Sequence, residues 1–313
     1  MISGKIIGTG CLMAITAYML LYSEVLVTRQ QYFPLPEPEQ STWAKEQERR
    51  RSILRAACGE NSSRGTSRRT KYAHLVEMYK DDLTFLLADD KYKVIYCFIP
   101  KVGCTSWKRV FMILGNISDA KQVDDIDLAS PHYLMGKMQL LQTTKEDELI
   151  VKKLENYKKF IVVRHPIERL ASAYFGKIHH KEGILEKQRL LLPFLWKTRK
   201  NATVMDITWP EFVSFVVRKR GRSDEHWTPY ESLCLPCQID YDFILKFETL
   251  DEDAEGLLRA IGAPDDFHFP HHERRINASL VGQLQKDLTT EQMLAISHYF
   301  GNDFDMFEYS IPA

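Results

Sequence analysis

Twice in this chain a run of strand-type residues ends in a turn rich in cations and hydroxyls and passes straight into a helical pattern. The first run, Lys93-Val94-Ile95-Tyr96-Cys97-Phe98-Ile99, is β-branched and aromatic, as in a buried strand, and it stops at Pro100. Beyond the turn, Trp107, Val110, Phe111 and Leu114 recur at i, i+3, i+4 and i+7, the inner stripe of an amphipathic helix. The second run, Phe160-Ile161-Val162-Val163, ends at Arg164, with Pro166 suited to a first helical turn. Its helix shows Ile167, Leu170, Ala171, Tyr174 and Ile178 on one face. Each turn then lies on a helix N-terminus, where unpaired N–H groups and the positive dipole end favour an anion. Ligands of an open parallel sheet bind beyond the carboxyl ends of its strands, so both turns are expected to face one crevice and one doubly phosphorylated ligand.

A nucleoside triphosphatase shares this plan, but its fingerprint needs two glycines framing four residues, the second followed by Lys and Ser or Thr. Here Gly103 stands alone with Lys101 ahead of it, and no acidic strand end supplies a magnesium ligand. The downstream pattern completes an α/β fold. Phe243 to Phe247 reads as a third strand and Asp251 to Ile261 as a helix closed by Gly262. Trp209-Pro210 opens another helix, and Thr289-Thr290-Glu291-Gln292 is a capping box before a last one. The expectation is a three-layer sandwich with a central parallel sheet and P-loop-like phosphate turns.

The flanking sequence speaks to location. Ile6 to Ser23 is an uncharged run long enough to span a bilayer, and Lys5 before it favours a lumenal carboxyl-terminal bulk. Residues 1–5 are read as a cytoplasmic tail, 6–24 as a transmembrane signal-anchor, 25–70 as a lumenal stem and 71–313 as the catalytic domain. Within the stem, Glu46 to Arg55 reads as a solvated helix. Asn61, Asn116, Asn201 and Asn277 begin glycosylation sequons. Cys97 reads as a small buried hydrophobe in its strand. Cys234 and Cys237 offer zinc, redox chemistry or a structural disulfide, internal or to Cys58; no second ligand pair supports zinc. With 42 basic and 42 acidic residues the net charge is zero, so no global field draws a polyanion, and no nucleic-acid partner is expected. Local basic clusters, such as Lys197, Arg199 and Lys200, are ordinarily solvated faces.

The stretch Lys101-Val102-Gly103-Cys104-Thr105-Ser106-Trp107-Lys108-Arg109 resembles the 5′-phosphosulfate loop of the Golgi carbohydrate sulfotransferases. The stretch Arg164-His165-Pro166-Ile167-Glu168-Arg169-Leu170-Ala171-Ser172 resembles their 3′-phosphate segment. His226-Trp227-Thr228-Pro229, Cys234-Leu235-Pro236-Cys237, Tyr241-Asp242-Phe243-Ile244 and Glu248-Thr249-Leu250 extend the likeness in the family's order. The branch is that of the chondroitin and dermatan 4-O-sulfotransferases and the HNK-1 sulfotransferase. The chain departs from the usual pattern at His165 and Ile167, where an acidic residue and Phe or Leu are common.

The resemblance implies a type II Golgi membrane enzyme that moves sulfate from 3′-phosphoadenosine 5′-phosphosulfate, as co-substrate and without a metal, to a glycosaminoglycan or glycoprotein glycan. Position 4 of N-acetylgalactosamine in chondroitin or dermatan is the first expectation. Glucuronic acid 3-O-sulfation of an HNK-1-type glycan and 4-sulfation of N-acetylgalactosamine on N-glycans are the alternatives; a lumenal kinase and a silent glycan-binding protein are the readings from other classes. Lys101 is expected at the leaving phosphate oxygen, with the Gly103 to Trp107 N–H groups and the Thr105 and Ser106 hydroxyls. Arg164 and Ser172 are expected at the 3′-phosphate. His226 is the preferred base and His132 the second choice. The pairs His179-His180 and His271-His272 read as exposed groups.

Overall fold

The computed structural model describes residues 42–311, except 60–66, 135–137, 180–190, 198, 204–205, 219–223, 272–275 and 277. The expected anchor lies outside the described residues, as do Asn61 and Asn277. Among those described, no helix is long and apolar enough to cross a membrane.

Five strands, β1 (Leu86–Asp89), β2 (Val94–Cys97), β3 (Gln139–Leu140), β4 (Lys158–Val163) and β5 (Phe243–Lys246), form one sheet in the order β3-β1-β2-β4-β5. β2, β4 and β5 run parallel, with Cys97 beside Ile161 and Val163 beside Lys246. β1 is antiparallel to both β2 and β3, so the sheet is mixed and the expectation of a parallel sheet holds for only half of it. The reason is connection length: only residues 90–93 separate β1 from β2, which suffices for a hairpin and not for a crossover.

The helices that position the site are α1 (Thr42–Ala57), α2 (Arg68–Tyr79), α3 (Cys104–Leu114), α4 (Asp147–Asn156), α5 (Pro166–Ala173), α6 (Trp209–Arg218), α7 (Tyr230–Cys234) and α8 (Leu250–Ile261), followed by α9 (Ala278–Lys286), α10 (Thr290–Tyr299) and α11 (Gly301–Met306). The expected inner stripe of α3 is buried, and Trp107 packs on Phe160 of β4 with ring centroids 4.9 Å apart. Tyr96 of β2 stacks on the same Phe160 at 4.6 Å. The stripe of α5 is buried too, in a second cluster with Phe212 of α6 and Ile296 of α10. Each such large apolar side chain contributes roughly 1.5–3 kcal/mol on burial.

The charged stretch expected to be a solvated stem helix is α1, and one face of it belongs to the folded body. Gln47 accepts from the Ile244 amide at 2.8 Å and Arg50 donates to the Ile244 carbonyl at 2.8 Å, so α1 satisfies the open edge of β5. Arg50 also pairs with buried Asp253 at 2.7 Å. One disulfide corrects the cysteine reading, since Cys97 is not a free thiol but joins Cys234; the other, Cys58 to Cys237, is the structural link to Cys58 that the sequence offered. The apolar strand around Cys97 looks the same in sequence whether its sulfur is free or bridged. Cys104 is free.

Candidate active site

Because β2 and β4 are parallel neighbours, the turns that follow them emerge at one edge of the sheet. In the first turn Lys101 (φ 74°) and Gly103 (φ 86°) both adopt left-handed backbone. Glycine suits the second position twice over, since a Cβ there would also lie 3.1 Å from Leu250 Cδ2. For Lys101 the conformation is strained, at a cost of about 1–3 kcal/mol, a signature that concentrates at functional sites. Trp107 N donates to Gly103 O, so the amides of Cys104, Thr105 and Ser106 head α3 without intrahelical acceptors. Thr105 and Ser106 are half-buried in this first turn, and Val102 is buried beneath it.

The Lys101 ammonium ends against Gly176, where a Cβ would come within 2.5 Å of Nζ. Gly176 belongs to a π-helical turn, Tyr174–Ile178, that continues α5. The first turn thus touches the helix that carries the second motif. Burial, and then the positive charge of Lys177, bring the Lys101 pKa down to about 8. Lys108 is buried with Nζ 4.0 Å from the Phe98 ring centre, and burial lowers its pKa. Arg109 is buried in a pair with Asp124 at 3.3 Å.

The second turn is built from side chains. Arg164 is only 3 % exposed. Its Nε and Nη2 donate to Glu168 at 3.1 Å, Nη2 also donates to the Ile276 carbonyl, and the guanidinium stacks on Phe247 at 4.3 Å. Burial lowers its pKa while Glu168 opposes that shift. Nε and Nη2 are therefore engaged, and among the described residues Nη1 has no hydrogen-bond partner. Tyr230 of α7 holds the Arg164 backbone, its hydroxyl lying 2.9 Å from the amide and 2.8 Å from the carbonyl. His165 N donates to Glu248 at 2.8 Å, and its ring meets Phe304 and Tyr309 edge-on. That aromatic seat accommodates the imidazole. Pro166 opens α5; Ile167, Leu170 and Ala171 face the core, and Ser172 is half-buried in the second turn.

Arg169 is buried and committed to backbone carbonyls. It donates to the carbonyls of Pro100 (3.1 Å), Thr228 (2.7 Å) and Glu225 (2.9 Å), tying the first turn and the His226 loop to α5. In that loop His226 Nδ1 lies 2.6 Å from the buried Asp224 carboxylate and 3.2 Å from Glu225. With Nδ1–H donating to Asp224, the neutral ring carries its lone pair on Nε2. These three residues could together present metal ligands, but their near atoms are engaged with one another. His132, on the exposed turn Ser130–Tyr133, has its pKa lowered by partial burial and then by Lys108, Lys177 and His226, which places all four groups in one electrostatic neighbourhood.

Several contributors were not legible beforehand. Lys177 and Gly176 escape because the π-helical turn breaks the 3.6-residue period that would have placed them. Glu248 and Tyr230 act through tertiary contacts alone, and Asp224 through a loop contact to His226 that no residue pattern announces. Of the remaining histidines, His179 stacks on Tyr174 and His271 pairs with Asp251, while His180 and His272 lie outside the described residues.

A profile of the sulfotransferase family matches residues 84–310, a span that includes both turns and every strand. The chain is 31% identical over 278 residues to carbohydrate sulfotransferase 11 of Rattus norvegicus, covering 84% of this chain and 76% of that protein. It is 30% identical over 295 residues to carbohydrate sulfotransferase 8 of Mus musculus, covering 89% and 68%. To carbohydrate sulfotransferase 14 of Homo sapiens it is 31% identical over 277 residues, covering 85% and 70%. No solved structure matches the chain. Two cation-bearing turns at one sheet edge, within a matched span covering most of the folded body, lead to one conclusion: the chain belongs to the sulfotransferase family, alongside the carbohydrate sulfotransferases, and is a sulfotransferase enzyme.

Proposed function

We propose that the protein transfers a sulfuryl group from 3′-phosphoadenosine 5′-phosphosulfate to position 4 of N-acetylgalactosamine in chondroitin or dermatan. Family membership implies this donor and a glycan acceptor. The observation that carries the residue assignment is the contact of Lys101 Nζ with Gly176, which brings the first turn against the helix of the second. The choice of acceptor rests on the Cys234-Leu235-Pro236-Cys237 and Tyr241-Asp242-Phe243-Ile244 blocks.

The donor is already activated, so the protein aligns an in-line attack and stabilises charge. His226 Nε2 takes the acceptor hydroxyl proton as the new oxygen–sulfur bond forms. The bond from sulfur to the 5′-phosphate oxygen breaks, and the electron pair goes to that oxygen. Lys101 and the amides at the head of α3 meet the charge it acquires. Arg164, held in place by Glu168 and Tyr230, selects the 3′-phosphate through Nη1, with Ser172 beside it. No step requires a metal.

Two disulfides fit an oxidising compartment. Asn116 and Asn201 are exposed, as glycosylation requires. With the uncharged segment at residues 6–23, these features support a single-pass type II Golgi protein with a lumenal catalytic domain beginning at α1.

The test is transfer from sulfur-labelled donor by a soluble form lacking the first 27 residues, which keeps α1 and Cys58. Desulfated chondroitin, desulfated dermatan and N-glycan acceptors are offered side by side, followed by disaccharide analysis. Sulfate at position 4 of N-acetylgalactosamine is expected. Sulfate on glucuronic acid or on N-glycans alone would displace the acceptor assignment, and transfer solely from gamma-labelled ATP would overturn the reading.

A further inference from the structure

Two adjoining clefts lie away from the transfer site. They open at the other end of the sheet, where α1, α2 and the starts of β4 and β5 frame a hollow of about 630 Å³ beside a second of about 400 Å³. Arg51, Arg55, Lys71, Asp240 and Tyr241 line both, so the two adjoin as one groove. Arg68 and Lys158 add two more cations, and Asp242 the second carboxylate. That makes five cations against two carboxylates, in a chain whose overall charge is zero.

Part of this charge is engaged. Lys71 pairs with Asp240 at 2.7 Å, and Glu48, which does not line the groove, pairs with Arg51 and Arg55. Counting Glu48, the balance is still five to three. Arg68 and Lys158 are exposed, and among the described residues neither has an ion-pair partner. Trp43, stacked on Phe243 at 5.4 Å and packed against Gly256, adds a fixed aromatic edge to the groove wall. The Cys58–Cys237 disulfide lines the groove and fixes the end of α1, so the site is organised before anything binds. Its two framing helices precede residue 84, outside the span matched by the family.

We infer that this groove binds an anionic glycan chain: it grips a non-reacting stretch of the acceptor polymer while another stretch is sulfated. The inference rests on the acidic-polymer reading given above. From Lys158 at the start of β4 to Arg164 at its end is six residues, about 20 Å. A disaccharide is too short to occupy both ends of the sheet, whereas a polymer reaches both and gains from the raised effective concentration. Only long acceptors should therefore sense the groove.

The experiment compares the full-length protein with its Arg68→Glu/Lys158→Glu variant, both positions being exposed and remote from the two turns. For desulfated chondroitin polymer, KM is expected to rise roughly tenfold or more, and binding measured without donor should lose most of its salt dependence. For a chondroitin disaccharide, KM and kcat should not change. Equal KM on polymer for both forms, or an equal rise on the disaccharide, would overturn the inference. Polymer binding that is lost on charge reversal, while neither form sulfates chondroitin, would leave the groove standing and sink the acceptor assignment instead.

Discussion

The turn after β2 stores strain in its backbone, with Lys101 and Gly103 both left-handed, whereas the turn after β4 keeps ordinary angles and is held by side chains. In the first, amides at the head of α3 and a buried ammonium whose pKa has come down to about 8 remain available. In the second, Arg164 is locked by Glu168, Ile276, Phe247 and Tyr230. The difference matches the tasks. Charge on the leaving oxygen develops only during reaction, and donors aimed at it need freedom from ground-state partners. The 3′-phosphate has the same charge throughout, so its arginine can be pinned in advance.

The largest effect should come from removing the strained lysine. Lys101→Gly relieves the left-handed backbone and deletes the ammonium, so turnover should fall about 100- to 1,000-fold while the melting temperature holds or rises. A variant that melts early would mean that the turn is held by the side chain after all. Next, Arg164→Ala should weaken binding of adenosine 3′,5′-bisphosphate about 10- to 100-fold, as loss of hydrogen bonds to a charged group does. It should also destabilise the fold by about 3–5 kcal/mol, because Glu168 is left buried and unpaired. Adding Glu168→Gln should restore much of the stability and none of the affinity, as read by calorimetry and thermal melts; recovery of both would show that Arg164 is structural only.

Gly176→Ala probes the contact between the turns. A methyl group within 2.5 Å of Nζ displaces a flexible side-chain end, so the fold should survive while turnover falls several-fold to roughly tenfold. The smallest effect concerns pH. Lys101 is charged below its lowered pKa and neutral above it, so donor affinity of the wild type should decline a few-fold as pH rises past about 8. A bound anion raises the pKa and blunts the decline. In Lys101→Arg the guanidinium stays charged, and the decline should vanish.

What could be read from the sequence was local. Both turns, the stripe of α3 and the capping box of Thr289 are spelled by neighbouring residues, and all form as expected. Strands β1 and β3 were missed because Leu86 to Asp89 is short and its partner β3 has only two residues, too few to show a period. The solvated helix hid Gln47 and Arg50, polar residues whose burial is justified only by an open strand edge nearly 200 positions away. Arg169 looked like one more phosphate ligand, since no sequence signal separates an arginine that binds a substrate from one that binds three backbone carbonyls.

The covalent link from Cys97 to Cys234 carries a practical consequence. It fastens β2, which leads into the first turn, to the helix whose Tyr230 hydroxyl steadies Arg164, so the spacing of the two anion sites depends on oxidation having gone correctly. A bacterial cytosol keeps thiols reduced. Recombinant material made there would start with both grips untethered and with Cys104 able to compete for the wrong partner on later oxidation; periplasmic or eukaryotic secretory expression is the sound source of enzyme for every assay above.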